Sequence, residues 1–266
     1  MLFRSGQQVR FVYAGRATAN ELPVPHADFF RAAQQALGEA VLNDGRVRVA
    51  LEWAEAEAAG GRVVQGGVVS TAKGITLPNT AFRVEALSDK DAAIVAHTRQ
   101  LPRIAYALSY VRDALEMAHY RAWFGGAAQL IAKIERPSAV DDALAIGRQV
   151  DSVWICRGDL GAEMGLRGMA QAVARLSAQV RSGQFAGPVW MAGQVLEHMT
   201  NCEQPTRAEV CQLHDVLAQG YAGVVLSDET AVGRFAVAAC RAAALFNESK
   251  PPSQQWEGGA GGDGGN

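Results

Sequence analysis

Hydrophobic and polar residues follow two different patterns along this chain. Up to about residue 79, short Val-rich runs at 9–13, 47–53 and 62–70 lie between turns rich in Gly, Asn and Asp, which is typical of β-strands. Within this region, residues 27–42 have helical spacing, with Phe29, Phe30 and Ala33 on one face. The pattern therefore predicts a β-rich N-terminal domain that contains one helix.

From Phe82 onward, short apolar runs alternate with helical segments. The predicted strands lie at 104–109, 129–134, 152–156, 188–192 and 223–226, and the predicted helices lie at 140–149, 168–181 and 207–218. Nearly continuous apolar strands are expected where both faces of a parallel sheet are buried. Strands that recur about every 24 to 36 residues favour a (β/α) barrel, but five units are about three short of eight.

These patterns predict the α/β class and a division into three parts. Residues 1–79 form a β-rich lid domain, and residues 80–246 form a partial (β/α) TIM barrel. The last twenty residues, 247–266, are rich first in Pro, Ser and Gln and then in Gly, so we expect a disordered tail.

Composition narrows the class of protein. The chain has 266 residues, of which 49% are hydrophobic and 20% are charged, enough for a substantial core. A net charge of -2 gives no support for a nucleic-acid or anionic-membrane partner. The N-terminus has no signal-peptide pattern, no apolar run approaches the roughly 20 residues of a bilayer span, and the four cysteines have no C-x-x-C spacing. We expect a soluble, cytoplasmic protein with reduced thiols.

Charged residues follow two neighbouring predicted strands. Lys133 and Glu135 end one strand and point to the same side, and Asp159 follows the next strand. In a barrel, the carboxyl ends of the strands carry the active site. Two carboxylates suit Mg²⁺, which completes its shell with water and substrate oxygens, and a lysine beside it can stabilise a transferring phosphoryl group or an enolate.

A structural alternative for Lys133 and Glu135 is a buried ion pair that closes the end of the barrel. The glycines around Asp159 argue against it. Gly158 and Gly161 flank this carboxylate in Arg157-Gly158-Asp159-Leu160-Gly161, a pattern that leaves backbone amides free to hold an anion.

Several motifs, in the same order, resemble those of pyruvate kinases. They are Ile131-Ala132-Lys133-Ile134-Glu135, the run at 156–163, and the runs at 194–199, 205–210 and 226–231. Before the barrel, Asn43-Asp44-Gly45 and the run at 73–78 resemble the start and the exit of that family's small β lid domain. The resemblance covers residues 40–240 and extends more loosely to Met1.

The resemblance implies roles for individual residues. Glu135 and Asp159 would hold the catalytic Mg²⁺ (or Mn²⁺), and Lys133 would stabilise phosphoryl transfer from phosphoenolpyruvate to ADP, giving pyruvate and ATP in glycolysis. Backbone amides at Arg157, Gly158 and Asp159 would bind the substrate carboxylate. Lys73 would contact a nucleotide phosphate.

The sequence departs from the family at several points. Three βα units that normally precede the lid, and with them ligands for phosphate and K⁺, have no counterpart here. We therefore expect a second chain or a homo-oligomer to cover the open barrel edges. Gly193 stands where the family has a threonine near the enolate carbon, and Asp228 adds a charge in Ser227-Asp228-Glu229. No C-terminal regulatory domain follows, so we expect no effector control through one.

Three functions remain open on these residues. The chain is an active pyruvate kinase-like phosphotransferase, a catalytically weak module that binds phosphoenolpyruvate or pyruvate, or a metal-dependent aldolase or lyase that acts through a pyruvate enolate. Glu135 and Asp159 suit all three, while Gly193 favours the second over the first.

Overall fold

The N-terminal part of the computed structural model is built on a six-stranded sheet. The structure describes residues 1–15, 21–43, 45–70, 73–78, 80 and 87–246. The elements of the first part are β1 (Leu2–Phe3), β2 (Gln8–Val12), β3 (Glu21–Pro23), α1 (Ala27–Gln35), β4 (Glu39–Leu42), β5 (Val47–Ala54), β6 (Ala58–Gln65), β7 (Gly67–Val68) and β8 (Ile75–Thr76). The sheet order is β3-β2-β6-β5-β4-β8, and β1 pairs separately with β7.

Alternation explains why this sheet has one buried face. Val47, Val49 and Leu51 of β5 are buried, whereas Arg48 and Ala50 between them are partly exposed. Helix α1 covers the buried face with a row of apolar side chains. Phe29, Phe30 and Ala33 of α1 belong to the same core as these valines, as the helical spacing predicts.

The predicted helix at 27–42 is wrong in its second half. Helix α1 ends at Gln35, and Glu39–Leu42 form strand β4, which pairs with β5 in antiparallel register. The connection turns through Asn43 and Gly45, both with positive φ (51° and 86°). Pairing with β5 overrides the local helical spacing. The strand predicted at 62–70 is also divided, because β6 ends at Gln65 and β7 pairs elsewhere.

The second part is a five-stranded parallel sheet flanked by helices. Its strands are β9 (Ala105–Leu108), β10 (Gln129–Ile134), β11 (Ser152–Cys156), β12 (Val189–Ala192) and β13 (Gly223–Val225), in the order β13-β12-β11-β10-β9. All neighbours pair in parallel. This curled half-barrel confirms the predicted α/β class and the partial (β/α) barrel.

The helices connect successive strands, and their bounds differ from prediction in instructive ways. They are α2 (Asp89–Thr98), α3 (Ala114–Phe124), α4 (Pro137–Asp141), α5 (Ala143–Gly147), α6 (Arg157–Arg181), α7 (Arg207–Ala218), α8 (Asp228–Ala231) and α9 (Ala236–Ala243), with a 3₁₀ helix at Glu197–Thr200. The prediction for α7 is confirmed at both ends. The predicted helix at 140–149 is split between α4 and α5, and α6 begins well before Gly168, with a break at Gly165 (φ 70°). The residue spacing does not predict α2, α3, α8 or α9.

The two faces of the parallel sheet differ in burial. One face packs under the helices through Leu130, Ala132 and Ile155, which are fully buried. The intervening residues are half-buried and line an apolar cavity of about 610 Å³ on the other face, among them Ile131, Trp154, Trp190 and Val225. Within the described residues, β9 and β13 each pair with one neighbour and form the edges of the sheet.

Other predictions fall partly or wholly outside the described residues. The domain boundary at 79/80 adjoins Asn79 and residues 81–86, and the tail at 247–266 and Asp44 lie outside as well. The three-part division therefore stays a prediction. Across the part of the chain that the structure describes, no helix combines the length and apolar character that a membrane crossing requires.

Candidate active site

Lys133 and Glu135 form a buried ion pair at the carboxyl end of β10. Lys133 Nζ lies 2.6 Å from Glu135 Oε1 and also donates to Ser109 Oγ at 3.1 Å. The side chain of Glu135 is fully buried, whereas that of Lys133 retains 24% of its exposure. The strand carries both side chains to the same end because alternate residues share a face. The ammonium group thus reaches solvent while the carboxylate beneath it does not.

Burial shifts the pKa of both partners. Loss of solvent and the negative charge of Asp159 raise the pKa of Glu135, although the Lys133 ammonium opposes this shift. For Lys133, burial is the largest single effect and lowers the pKa, but the combined attraction of Glu135, Cys156 and Asp159 raises the pKa above its ordinary value. Lys133 is therefore a cation at neutral pH. The carboxylates of Glu135 and Asp159 repel each other, which is the condition that a bound cation relieves.

Asp159 reaches the same site from the first turn of α6. Tyr110, which follows β9, joins it to Glu135: the Tyr110 hydroxyl donates to Asp159 Oδ1 at 2.7 Å, and the Tyr110 amide donates to Glu135 Oε2 at 2.6 Å. Strands β9, β10 and β11 are neighbours, so their carboxyl ends meet at one edge. The structure thus brings Lys133, Glu135 and Asp159 together, as expected from their positions after parallel strands.

These three residues line a cleft of about 340 Å³. The cleft also receives residues from the loops after β12 and β13 and from the turn between β4 and β5. Its other lining residues are Arg46, Trp154, Cys156, Gly158, Ala192, Gly193, Gln194, Glu197, Val225, Leu226, Ser227 and Asp228. Burial raises the pKa of the Cys156 thiol far above its usual range, so Cys156 is a neutral thiol and not a thiolate nucleophile.

Gly158 and Gly193 meet at one wall of the cleft. Gly193 has a φ of +83°, and a Cβ there would lie 3.1 Å from the Gly158 amide nitrogen and 3.4 Å from that of Arg157. These amides belong to the first turn of α6, where helical N–H groups have no partner within the helix. The glycine at 193 thus leaves the amide wall uncovered, as an anion-binding surface requires.

The Arg157 side chain ties the two loops of this wall together. Its Nε and one Nη donate to Gly193 O at 2.9 and 2.6 Å, and the same Nη donates to Gln194 O at 2.9 Å. Burial lowers the pKa of this guanidinium. Arg157 does not itself line the cleft, so the predicted contribution to binding rests on its backbone amide.

Lys73 and Arg46 differ in their relation to the cleft. Lys73 is exposed and does not line it. Arg46, which sequence reasoning missed, lines the cleft and forms an ion pair across it with Glu197. Ser109 and Tyr110 were also missed, although Ser109 ends a predicted strand and Tyr110 directly follows it. The rule that identified Glu135 and Asp159, a polar residue at a strand's carboxyl end, would have found them.

The donor set of the cleft fits a hard divalent cation. Among the described residues, no three His, Cys, Asp or Glu side chains converge as a complete metal cage. Mg²⁺ requires only one or two carboxylates and completes its shell with water and substrate oxygens. Oε1 of Glu135 is buried and accepts no hydrogen bond from the described residues, since the Lys133 ammonium meets it only as an ion pair. Glu135 and Asp159 could therefore hold such an ion.

The fold and the cleft together define an α/β half-barrel protein with a lysine and two carboxylates at the carboxyl ends of its strands. Comparison with known proteins agrees with this class. Residues 6–240 match the family described as "Pyruvate kinase, barrel domain".

Individual relatives agree with the family match. A pyruvate kinase of Agrobacterium vitis is 34% identical over 241 residues, which are 88% of this chain and 48% of the relative. One of Mycobacterium tuberculosis (strain CDC 1551 / Oshkosh) is 36% identical over 216 residues, 79% of this chain and 45% of the relative. A pyruvate kinase of Corynebacterium glutamicum is 34% identical over 197 residues, which are 73% of this chain and 41% of the relative. The chain belongs to the pyruvate kinase family, and it spans less than half the length of these relatives.

Proposed function

We propose that this chain carries the phosphoryl-transfer site of a cytoplasmic, glycolytic pyruvate kinase, which converts phosphoenolpyruvate and ADP to pyruvate and ATP with Mg²⁺. One observation carries the proposal. Lys133, Glu135 and Asp159 converge in a single cleft, with the Lys133 ammonium 2.6 Å from the Glu135 carboxylate. Family membership supports the same reaction class.

Each residue then has a defined task. Glu135 and Asp159 hold Mg²⁺ (or Mn²⁺), which when bound neutralises charge on the phosphoryl oxygens. Lys133, a cation on the floor of the cleft, stabilises the charge that spreads over the transferring group. The amides of Arg157, Gly158 and Asp159, beside Gly193, bind the substrate carboxylate. Phosphoryl transfer requires little covalent participation by the protein, so correctly positioned charges are sufficient for catalysis.

The reaction has two stages. The phosphorus–oxygen bond to the enolate oxygen breaks as a new bond forms between phosphorus and a terminal phosphate oxygen of ADP, and the released enolate then takes up a proton on carbon to give pyruvate. Gly193 has no hydroxyl, so that proton comes from water. Lys73 contacts the nucleotide only if the exposed segment that carries it closes over the cleft.

We also propose that a second chain, or another copy of this one, covers the apolar face of the half-barrel. Trp190, Ile131 and Val225 line the cavity there, and β9 and β13 have unpaired edges within the described residues. Exposed apolar faces and open strand edges favour association. Sedimentation velocity tests this part, and a well-behaved monomer would contradict it.

To test the reaction, the purified chain is incubated with phosphoenolpyruvate, ADP, Mg²⁺ and K⁺, and the formation of pyruvate is measured. Turnover should disappear in Lys133→Met and Glu135→Gln. Lys90→Met and Glu203→Gln are the matched controls, because both residues are exposed and neither lines the cleft, and they should keep wild-type turnover.

A second candidate function is a module that binds phosphoenolpyruvate or pyruvate without efficient transfer. Gly193 favours this function, because glycine has no hydroxyl that could deliver a proton. The left-handed backbone there also disfavours any residue that has one. Metal-dependent binding of phosphoenolpyruvate without turnover would support this function. Cleavage of a 4-hydroxy-2-oxo acid without phosphoryl transfer would instead indicate an aldolase or lyase.

A further inference from the structure

We infer that Tyr110 is a positioning residue that holds Glu135 and Asp159 in the arrangement a divalent cation needs. The inference deepens the proposed function and rests on it. Tyr110 lies two residues beyond the end of β9, and its backbone amide and its hydroxyl contact different carboxylates. A single residue therefore joins the carboxyl ends of three neighbouring strands.

The geometry of these contacts leaves one oxygen of each carboxylate for another ligand. The Tyr110 amide donates to Oε2 of Glu135 at 2.6 Å, and the hydroxyl donates to Oδ1 of Asp159 at 2.7 Å. The second oxygens are Oε1 of Glu135, which meets the Lys133 ammonium, and Oδ2 of Asp159. Two carboxylates at close range repel each other and would rotate apart if nothing held them. The two hydrogen bonds fix their orientation before a cation arrives.

Tyr110 is itself held by its surroundings. The Arg136 guanidinium lies 5.2 Å from the centre of its ring, a cation–π contact. Its backbone has a φ of +56°, a conformation that residues other than glycine rarely adopt. Such strain persists where surrounding contacts determine the conformation and is concentrated at functional sites. The contacts of Tyr110 thus give the hydroxyl a defined position against Asp159.

The test measures binding of Mn²⁺ to the full chain by the electron paramagnetic resonance of free Mn²⁺, in the absence of substrates. Tyr110→Phe removes only the hydroxyl and keeps the ring under Arg136 and the amide on Glu135. Loss of a residue that orients a metal ligand typically lowers metal affinity about ten- to a hundredfold. We therefore expect Tyr110→Phe to bind Mn²⁺ about tenfold more weakly than the wild-type chain.

Tyr106→Phe is the matched control. Tyr106 lies within β9, the strand that precedes Tyr110, and its hydroxyl is hydrogen-bonded to Thr98 Oγ1 at 2.9 Å, away from the carboxylates. This variant should keep the wild-type affinity for Mn²⁺. Circular dichroism and thermal unfolding of both variants show whether either change acts through the fold.

The outcomes separate this inference from the proposed function. If wild-type and Tyr110→Phe proteins bind Mn²⁺ equally, or if both tyrosine variants weaken binding alike, the role of Tyr110 is overturned while the metal site stands. A Tyr110→Phe chain that does not fold also overturns it, because the inference assigns the hydroxyl to metal affinity. If the wild-type chain itself binds no Mn²⁺, the proposed metal site fails as well.

Discussion

The Lys133 ammonium covers the buried carboxylate of Glu135, with Nζ 2.6 Å from Oε1 and only the lysine reaching solvent. The two groups differ in burial although they are two residues apart, because β10 ends between them at Ile134. This arrangement places positive charge at the floor of a cleft that is also lined by Asp159, Glu197 and Asp228 and by one further cation, Arg46. The stability of the fold and the proposed chemistry therefore rest on the same pair.

Removing the lysine should destabilise the fold. Lys133→Met leaves the fully buried Glu135 carboxylate without its cation, and loss of one partner of a buried pair costs about 3 kcal/mol. Urea unfolding should report this loss in the free energy of unfolding. The double variant Lys133→Met/Glu135→Gln should recover part of it, because no charge is then left buried. A double variant less stable than Lys133→Met would contradict this explanation.

The raised pKa of Glu135 predicts how stability depends on pH in the absence of metal. The folded chain keeps a proton on Glu135 at pH values where the unfolded chain has already released it, so the folded state binds more protons. The Glu135 contribution to the free energy of unfolding should therefore decrease as pH rises from about 4.3, the ordinary glutamate value, to the raised pKa.

Thermal unfolding of wild-type and Glu135→Gln proteins over this pH range isolates the contribution. The melting temperature of the wild-type protein minus that of Glu135→Gln should decrease as pH rises. Saturating Mg²⁺ should oppose this decrease, because the metal binds the ionised form of Glu135. The raised pKa of Lys133 affects stability only at alkaline pH, outside the pH range of this experiment. A difference that increases with pH would mean that the Glu135 pKa is lowered instead.

Restoring a threonine at position 193 should not be a neutral change. Gly193 has a φ of +83°, and a Cβ would lie 3.1 Å from the Gly158 nitrogen. A β-branched residue in this conformation costs about 1–3 kcal/mol. Chemical denaturation should show this loss for Gly193→Thr. Gly126→Thr is the control, since Gly126 is exposed with open space around its Cα, and an equal loss there would refute the steric explanation.

Neighbouring residues of β10 test whether the apolar face is covered in solution. Leu130 is fully buried under the helices, so Leu130→Ala should cost about 2–5 kcal/mol in the free energy of unfolding at any protein concentration. Ile131 lines the cavity on the other face. If a second copy covers that face, the cost of Ile131→Ala should grow with protein concentration, because association stabilises the folded state by mass action. A cost independent of concentration would exclude a covering copy.

The parallel half of the fold was predictable because its signals are local and strong. Strands β10 and β11 have the predicted bounds, and charged residues directly after them mark the end of the sheet where the candidate site lies. Helix α7 was predicted at both ends, and its start carries a capping box between Thr206 and Glu209. In these segments, local spacing and tertiary packing favour the same structure.

The sequence predictions fail where contacts between residues far apart along the chain determine the structure. Glu39–Leu42 continue a helical spacing, but pairing with β5 makes them a strand. The local pattern can place Tyr110 at the carboxyl end of a strand, but it does not identify the two carboxylates that Tyr110 contacts, which lie 25 and 49 residues away. The Arg46–Glu197 pair joins residues 151 apart along the chain. Spacing along the sequence identifies the carboxylates but does not reveal what positions them.

The most direct test of the central claim is the stoichiometry of the reaction. Purified chain incubated with phosphoenolpyruvate, ADP and Mg²⁺ should form pyruvate and ATP in equal amounts, each measured by a separate coupled assay. Both products should be lost in EDTA and in Glu135→Gln. Equal formation of both products by the Glu135→Gln variant, or pyruvate without ATP from the wild-type chain, would contradict phosphoryl transfer at this site.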